Sequence, residues 1–221
     1  MSQIRKFIEK CRIAESPILP TLLRALYYRL RGKNLVVSNR VIIKGLKNIR
    51  TDGLVSVGMQ ELGLVHKYDR TLINVEGNGK LEFTSTCSIA RGCRIVVGPK
   101  AVARFGQGVT GTDVSFIIMN GLEVGDGFLI AWGTKMMDDD FHELDYAGKQ
   151  DKKDKRIIIG DHVWIGTNVT VLSGSRIPSG CVVAAGSVVT RAFDQENCLI
   201  GGNPAKVIKE NITWDQFKPA R

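Results

Sequence analysis

An aliphatic residue recurs at every sixth position along much of the chain. In the C-terminal third the series has no gap, and it comprises Ile159, Ile165, Val171, Ile177, Val183 and Val189. The spacing returns upstream at Ile118, Val124, Ile130 and Met136, at Ile89 and Ile95, and at Ile43, Ile49 and Val55, and it blurs around residues 60–85. A period of six belongs neither to an α-helix nor to a simple alternating strand, so a different structural repeat must account for it.

This period predicts a short strand followed by a tight turn, repeated along the chain. Three such units make one triangular coil, and successive coils stack in parallel, so that each aliphatic residue lies inward on its equivalent in the next coil. The small residue that follows it, such as Gly160, Gly166 or Ala184, fits a corner where a larger side chain would crowd. A β-sandwich also has regular turns, but its strands vary in length, so six consecutive matches favour a parallel β-helix.

The first 34 residues differ from the repeat. Apolar residues fall at helical spacing before Pro17 and again after Pro20, and residues 20–31 predict a basic amphipathic helix. Such a helix can lie on an anionic membrane or cap the open end of a β-helix, and the sequence leaves both roles open. We therefore divide the chain into an N-terminal helical segment over 1–34 and a β-helix domain over 35–210.

Residues 211–221 are expected to form a C-terminal tail. Trp214 and Phe217 lie three positions apart, which predicts a short helix packed against the last coil. The predicted fold is therefore all-β, a parallel β-helix with short helices at its N- and C-terminal ends.

The composition is that of a globular protein, with 43% hydrophobic and 24% charged residues among 221. The net charge of +9 favours an anionic partner, but no nucleic-acid-binding motif accompanies it, so we expect no nucleic acid partner. No secretory signal and no apolar run of transmembrane length is apparent. The five cysteines have neither a CxxC pair nor zinc spacing, which predicts reduced thiols in a cytoplasmic protein, with peripheral contact at the inner face of the membrane left open.

Three segments carry a resemblance to a known family. They are IGDHVWIG at 159–166, AAGSVVT at 184–190 and GNPAKVI at 202–208. Together with the repeat they resemble the hexapeptide-repeat acyltransferases, most strongly from about residue 117 to residue 210, and within that family the sugar and polysaccharide O-acetyltransferases that modify capsule or lipopolysaccharide. The resemblance implies a left-handed β-helix, a homotrimer with active sites between subunits, and acetyl transfer from acetyl-coenzyme A to a sugar or glycan hydroxyl.

The repeat breaks between Met136 and Ile159, which predicts a loop inserted at a corner over about 138–156. The loop holds one histidine, His142, flanked by carboxylates at Asp138, Asp139, Asp140, Glu143 and Asp145. A sugar hydroxyl needs a base to attack a thioester near neutral pH, and imidazole suits that role when a carboxylate fixes its tautomer. The resemblance places the catalytic base at His142, with Asp145 and Asp140 both candidates for the carboxylate. The alternative is a polar histidine on a solvated loop.

Coenzyme A combines a thin pantetheine arm with anionic phosphates. Small corner residues at Gly166, Ala184 and Ala185 leave room for the arm, and cations that suit the phosphates follow at Arg191, Lys206 and Lys209. The resemblance implies that cofactor contacts are made by Thr167, Ala185, Thr190, Arg191, Lys206 and Lys209, and that Trp164 lies near the thioester. The alternatives are solubility for the lysines and packing at a subunit interface for Trp164.

The acceptor site is less defined. The family's sugar acetyltransferases commonly carry a substrate-binding asparagine upstream of the loop, but residues 112–119 contain none, and Asp113 or Ser115 stands in its place. The acceptor can therefore differ from a simple disaccharide. His162, at a turn of the repeat, is expected to be exposed, and neither it nor His66 is assigned a role.

Three other functions compete with O-acetyl transfer. An N-acetyltransferase acting on an amino sugar or a xenobiotic would use the same base and cofactor. A β-helix zinc hydratase needs three histidine ligands on adjacent coils, whereas His66, His142 and His162 lie far apart in sequence, so we expect no metal. A non-catalytic scaffold is the third alternative, and the segments that resemble a cofactor site argue against it.

Overall fold

The structure is a computed structural model that describes residues 3–60, 68–142, 147–148 and 154–215. Two α-helices begin the described chain, α1 at Gln3–Ile13 and α2 at Ile18–Leu30. After them, twenty-two short strands wind into stacked triangular coils whose three sides are sheets of mostly parallel strands, here named faces A, B and C. The chain folds as the left-handed parallel β-helix that the repeat and its resemblance predict.

Successive strands through β20 belong to faces A, B and C in turn. Face A consists of β1 (Leu35–Val37), β4 (Val55–Val57), β7 (Cys87–Ile89), β10 (Gly108–Thr110), β13 (Phe128–Ile130), β16 (Trp164–Ile165), β19 (Val182–Val183), β21 (Leu199–Gly202) and β22 (Ala205–Lys209). Face B consists of β2 (Val41–Lys44), β5 (Thr71–Val75), β8 (Arg94–Val97), β11 (Ser115–Ile118), β14 (Lys135–Met137), β17 (Thr170–Leu172) and β20 (Val188–Val189). Face C consists of β3 (Ile49–Thr51), β6 (Lys80–Phe83), β9 (Val102–Phe105), β12 (Leu122–Val124), β15 (Ile157–Ile159) and β18 (Arg176–Ile177), and a 3-10 turn at Leu46–Asn48 precedes β3.

The six-residue series forms the inward-facing positions of the last coils. Its six members from Ile159 to Val189 are all buried, with exposed fractions of at most 2%. In the middle coils aromatic rings fill the interior, since Phe105 packs against Phe83, Phe116 and Phe128 with ring centroids 5.0 to 6.2 Å apart. One continuous apolar core therefore runs along the β-helix.

The length of a coil explains where the sequence pattern is clear and where it blurs. Trp164 pairs with Val182, eighteen positions on, which is three units of six. Gly108 instead pairs with Phe128, twenty positions on. In that longer coil Met136 stacks on Phe116 rather than on Ile118, so the upstream six-residue series does not follow stacked equivalents throughout. Around residues 60–85 the blur comes from a longer insertion, since Val55 pairs with Cys87 across it.

Left-handed backbone builds the corner between faces A and B, here named the AB corner. From β7 onward positive φ recurs there once per coil, at Gly92, Asp113, Gly133, Asn168 and Gly186. From Asp113 onward each of these residues donates its N–H to a carbonyl of the preceding coil. At the corner between faces C and A, the CA corner, His162 adopts φ +53 between Gly127 and Gly180. Glycine, asparagine, aspartate and histidine are the residues that most readily adopt this conformation.

Helix α2 caps the first coil. Its Thr21 and Tyr28 are buried, and the guanidinium of Arg24 donates to the carbonyl oxygens of Ser38 and Val41 at 2.9 and 2.7 Å. These bonds satisfy backbone acceptors at the start of the β-helix, where no preceding coil exists. Of the two roles considered for residues 20–31, the structure thus contains the cap.

The C-terminal end differs from the expectation of a helix. Strands β21 and β22 form an antiparallel hairpin on face A, and residues 211–215 then continue without regular secondary structure. Ile212 donates its N–H to the carbonyl of Asn197 at 2.8 Å, which ties this segment to the CA corner. The helix predicted from Trp214 and Phe217 is therefore not seen over 211–215, and the rest of the tail, Phe217 included, lies outside the described residues.

All five cysteines are free and buried. Burial raises the pKa of the Cys93 thiol to about 11, and it raises the pKa of Cys87 still further above its ordinary value. Both side chains are therefore protonated, unreactive thiols at neutral pH. In the described part of the chain, neither helix has the length and apolar composition that crossing a bilayer requires.

Candidate active site

The loop that carries His142 leaves the β-helix at a fixed point on the BC corner, between β14 and β15. Asp138 is fully buried there, and its carboxylate accepts the backbone N–H groups of Met119, Asn120 and Gly121 at 2.6, 2.8 and 2.6 Å. The side-chain amide of Asn120 donates to the Asp138 carbonyl at 2.9 Å. A carboxylate that accepts several N–H groups forms strong, charge-assisted bonds, so the loop is held firmly four residues before His142.

The turn beyond Asp138 directs His142 outward. The carboxylate of Asp139 accepts the N–H of Phe141 at 2.8 Å, and Phe141 itself has positive φ, as in a local aspartate turn. His142 follows and is exposed to solvent. An exposed imidazole next to an anchored turn is accessible to an incoming hydroxyl.

The loop returns to the same corner through Asp154 and Arg156. The guanidinium of Arg156 donates to the Asp154 carboxylate at 2.7 to 3.1 Å and to Glu123 at 3.3 Å. Hydrogen bonds from the Arg156 side chain and backbone lower the pKa of Asp154, although this carboxylate is exposed. Both ends of the loop are thus attached to the BC corner. Of the two candidate orienting carboxylates, Asp140 is exposed and makes no hydrogen bond to His142, and Asp145 lies outside the described residues.

A groove of about 550 Å³ runs along the AB corner and the adjoining part of face A. Five of the residues expected to bind the cofactor line it: Trp164, Gly166, Thr167, Ala184 and Ala185. Apart from the indole N–H groups and two threonine hydroxyls, its side chains are apolar, and the hydroxyl of Thr167 is already donated to the Trp132 carbonyl at 3.0 Å. The groove therefore suits a slender ligand that is mostly apolar.

Several residues of this groove were not predicted from the sequence. Trp132 is the largest of them and is 43% exposed, and Leu129 and Val109 lie on the two strands that precede β16 in face A. The repeat contained a signal for them. Leu129 pairs with Trp164 in the next coil, so Trp132 occupies the position that Thr167 occupies one coil later. Ala185 occupies the same position in the coil after that.

Gly166 is also small because of how closely the next coil stacks on it. A Cβ at this position would lie 2.7 Å from the Ala185 nitrogen and 2.8 Å from the Val183 carbonyl oxygen, so a side chain would collide with the next coil. The close stacking of coils requires this glycine, and a shallow groove floor follows from it.

Four expected cofactor residues lie outside the groove. Lys206 and Lys209 are exposed on β22, where they pair with Gly201 and with Leu199, and Leu199 itself lines the groove. Thr190 and Arg191 instead follow β20 and stand at the BC corner, where the Arg191 guanidinium lies 5.1 Å from the centre of the Phe193 ring. The lysines are therefore near one end of the groove, and the other two residues belong to a different corner.

The two candidate acceptor residues do not line the groove; they lie at the AB corner and at the start of the adjoining strand of face B. Asp113 occupies the left-handed corner position, which by itself favours aspartate, and its carboxylate pairs with Arg94 at 3.1 Å. Ser115 is half-buried on β11 of face B. Their role in binding an acceptor stays a prediction.

His162 is exposed, as expected, but it has a partner that the sequence did not reveal. Its ring stacks on Trp214 with centroids 4.1 Å apart, and its Nε2 lies 3.0 Å from the Trp214 carbonyl oxygen. The indole of Trp214 donates to the His162 carbonyl at 3.0 Å and lies 6.0 Å from Trp164. The C-terminal residues are therefore anchored next to a wall of the groove.

The candidate base and the candidate cofactor groove occupy different corners of one chain. The His142 loop projects between faces B and C, and the groove follows the edge between faces A and B. Across the described ranges, no group of three or more histidine, cysteine or carboxylate side chains is arranged to hold a metal ion.

Known proteins resemble this chain over nearly its whole length. The model of the family described as bacterial transferase hexapeptide (six repeats) matches residues 156–191. A 24.8 kDa protein in the cps region of Klebsiella pneumoniae, described as uncharacterized, is 34% identical over 208 residues, which cover 93% of this chain and 92% of that protein. The chain belongs to the bacterial transferase hexapeptide family.

Other relatives of this hexapeptide transferase have names that state an activity. The polysialic acid O-acetyltransferase of Neisseria meningitidis is 34% identical over 131 residues, 58% of each chain. The putative lipopolysaccharide biosynthesis O-acetyl transferase WbbJ of Escherichia coli K12 is 48% identical over 64 residues, 27% of this chain and 32% of that protein. The crystal structure of the polySia-specific acetyltransferase NeuO matches with a TM-score of 0.48 and 22% identity, over 85% of this chain and 81% of that one. The hexapeptide transferase described here is an acetyltransferase.

Proposed function

We propose that this acetyltransferase moves an acetyl group from acetyl-coenzyme A to a hydroxyl of a sugar or polysaccharide precursor, with His142 as the general base. The apolar groove at the AB corner carries the proposal, because five residues expected to bind the cofactor line it. The names of the relatives, which include a polysialic acid O-acetyltransferase, support a glycan acceptor and oxygen as the atom that is acetylated.

In the proposed reaction the His142 imidazole removes the proton of the acceptor hydroxyl while its oxygen attacks the thioester carbonyl. The tetrahedral intermediate then collapses, the carbon–sulfur bond breaks, and the imidazolium returns the proton to the departing thiolate of coenzyme A. The products are an acetyl ester and free coenzyme A. The exposed position of His142 next to an anchored turn supports this role, because the base must reach an acceptor that enters from solvent.

We infer that the working unit is a homotrimer. In one chain the loop of His142 and the groove stand at different corners, so an active site needs the loop of one subunit beside the groove of its neighbour. A threefold axis parallel to the β-helices would form three such sites. In this arrangement Lys206 and Lys209 at the end of the groove, together with Thr190 and Arg191 from the neighbouring BC corner, would hold the phosphates and adenosine of the cofactor.

Release of free thiol from acetyl-coenzyme A tests the proposal. Wild type is assayed with a panel of sugars, oligosaccharides and amino sugars, beside His142→Ala and the control Lys155→Ala, an exposed change in the same loop. We expect acceptor-dependent release that falls by about a hundredfold or more in His142→Ala, with an unchanged KM for acetyl-coenzyme A, because only the proton transfer is lost.

Three results would count against the proposal. Wild type that neither binds nor turns over acetyl-coenzyme A would leave a scaffold as the better interpretation. Turnover with amino sugars alone would make the enzyme an N-acetyltransferase. Full activity in His142→Ala would assign the base elsewhere.

A further inference from the structure

Helix α2 has a second face that the described chain leaves largely exposed; the Arg31 guanidinium lies over the Tyr27 ring there, 4.0 Å from its centroid. Opposite the buried Thr21 and Tyr28, apolar side chains spaced three or four positions apart are exposed by 46% to 79%: Leu19, Leu22, Leu23, Leu26, Tyr27 and Leu30. This spacing places them on one side of the helix. A contiguous apolar face of this kind marks a surface that meets another apolar phase.

The net positive charge of the whole chain comes almost entirely from the segment that contains this helix. From Ser16 to Thr51 there is no aspartate or glutamate, whereas there are eight basic residues: Arg24, Arg29, Arg31, Lys33, Arg40, Lys44, Lys47 and Arg50. The other 185 residues carry 23 lysines and arginines against 22 acidic residues, so the surplus of +9 lies almost entirely in this segment. Such a cluster of basic residues is complementary to an anionic surface.

The apolar and basic features adjoin each other. A slot of about 240 Å³ lies between α2 and the first coils, with Leu22, Leu26 and Leu54 in its wall and Arg29 and Lys33 also lining it. Lys33 also borders a second groove, of about 380 Å³, which contains Lys47, Arg50 and Lys80. Glu82 is the acidic residue of that groove, and ion pairs with Arg104 at 2.7 Å and Arg50 at 3.8 Å offset its charge.

We propose that α2 and the basic residues around it form a docking surface for an anionic lipid bilayer. The leucines enter the boundary between headgroups and acyl chains, and Arg29, Lys33 and their basic neighbours contact the anionic headgroups. The opposite side of α2 stays on the β-helix through Arg24 and Tyr28. Docking therefore needs no unfolding of the cap, and it is independent of the reaction assigned to His142.

Co-sedimentation with vesicles tests this surface in the full-length chain. The vesicles contain either phosphatidylcholine alone or phosphatidylcholine mixed with phosphatidylglycerol. We expect binding to the mixed vesicles that weakens as salt is added, because ionic screening reduces the attraction between the basic residues and the headgroups. We expect little binding to phosphatidylcholine alone.

Two pairs of substitutions identify the surface. Leu23→Gln with Leu30→Gln, and separately Arg29→Gln with Lys33→Gln, should each lower the affinity for mixed vesicles by roughly tenfold or more. The matched control is Lys135→Gln with Lys155→Gln, which removes two exposed charges from later coils of the β-helix and should leave binding unchanged. Thermal unfolding of each variant shows whether the cap is still folded.

Different results overturn the proposal. It fails if wild type binds neither kind of vesicle, or if binding persists unchanged in both surface variants. It also fails if light scattering without lipid shows that the leucine pair lowers the mass of the assembly, because a second copy of the chain then covers this face.

Discussion

At the scale of single residues, the position of the candidate base depends on a carboxylate that does not take part in the chemistry. Asp138 brings together three backbone N–H groups from the segment that links β11 to β12. No other polar side chain is described at this point to satisfy those donors, and a buried unpaired N–H is costly. We therefore regard Asp138 as the anchor of the loop that carries the candidate base.

Replacing Asp138 by asparagine should weaken this anchor. The amide keeps a single acceptor oxygen and turns an NH₂ group toward the same N–H donors, so we expect a loss of about 3 kcal/mol in unfolding free energy. Denaturant unfolding measures the loss. Asp139→Asn is the control, since its side-chain oxygen can still accept the N–H of Phe141. Equal stability of the two variants would show that the buried carboxylate is dispensable.

At the scale of elements, the corner is the unit that the repeat specifies. The strands are only two to five residues long, so their register depends on how closely successive corners stack. At the CA corner, a Cβ on Gly160 would lie 2.6 Å from the Ser179 nitrogen and 3.0 Å from the Pro178 carbonyl carbon. Backbone atoms of the next coil cannot give way without loss of register.

Gly160→Ala should therefore destabilise the β-helix more than a larger substitution at an open corner. Overpacking of this kind costs about 1 to 3 kcal/mol. Gly186→Asn is the matched comparison, because a Cβ on Gly186 would meet no other atom within 4 Å and the same column already contains Asn168. Thermal unfolding measures the loss of stability in both variants. A smaller loss for Gly160→Ala than for Gly186→Asn would contradict the prediction.

At the scale of the whole molecule, the proposed trimer has a consequence that can be measured by mixing subunits. His142→Ala removes the base but keeps the groove, and Ala185→Trp fills the exposed groove wall but keeps the base. Each variant alone should be inactive. Co-expressed in equal amounts, they should recover about a quarter of wild-type activity, since random trimers pair an intact loop with an intact neighbouring groove in that fraction of sites.

Activity that stays absent in the mixture would contradict a site shared between subunits. In that case His142 and the groove would have to act within one chain. Size-exclusion chromatography with light scattering controls for a failure of the two variants to assemble together.

Much of the fold and part of the site are determined by the sequence alone. Outside the two insertions, this β-helix joins a residue to one 17 to 22 positions away, as in Val182 with Leu199 and Leu72 with Arg94. Tertiary contacts therefore repeat along the chain and become visible as a sequence period. The same regularity placed Gly166, Thr167, Ala184 and Ala185 in one column of corners, and the structure brings them into one groove. The same regularity also identifies Trp132, which is equivalent to Thr167 in the preceding coil.

Only the tertiary structure decided the features that lie outside the period. His162 and Trp214 meet across 52 positions, Arg24 of the cap reaches Ser38 and Val41, and Asp138 fastens its loop to the coil before it. The corner from which the loop projects depended on the lengths of all preceding coils, some of which have twenty rather than eighteen residues. Contacts between segments that do not repeat leave no periodic signal, because their spacing is set by the folded geometry rather than by the coil.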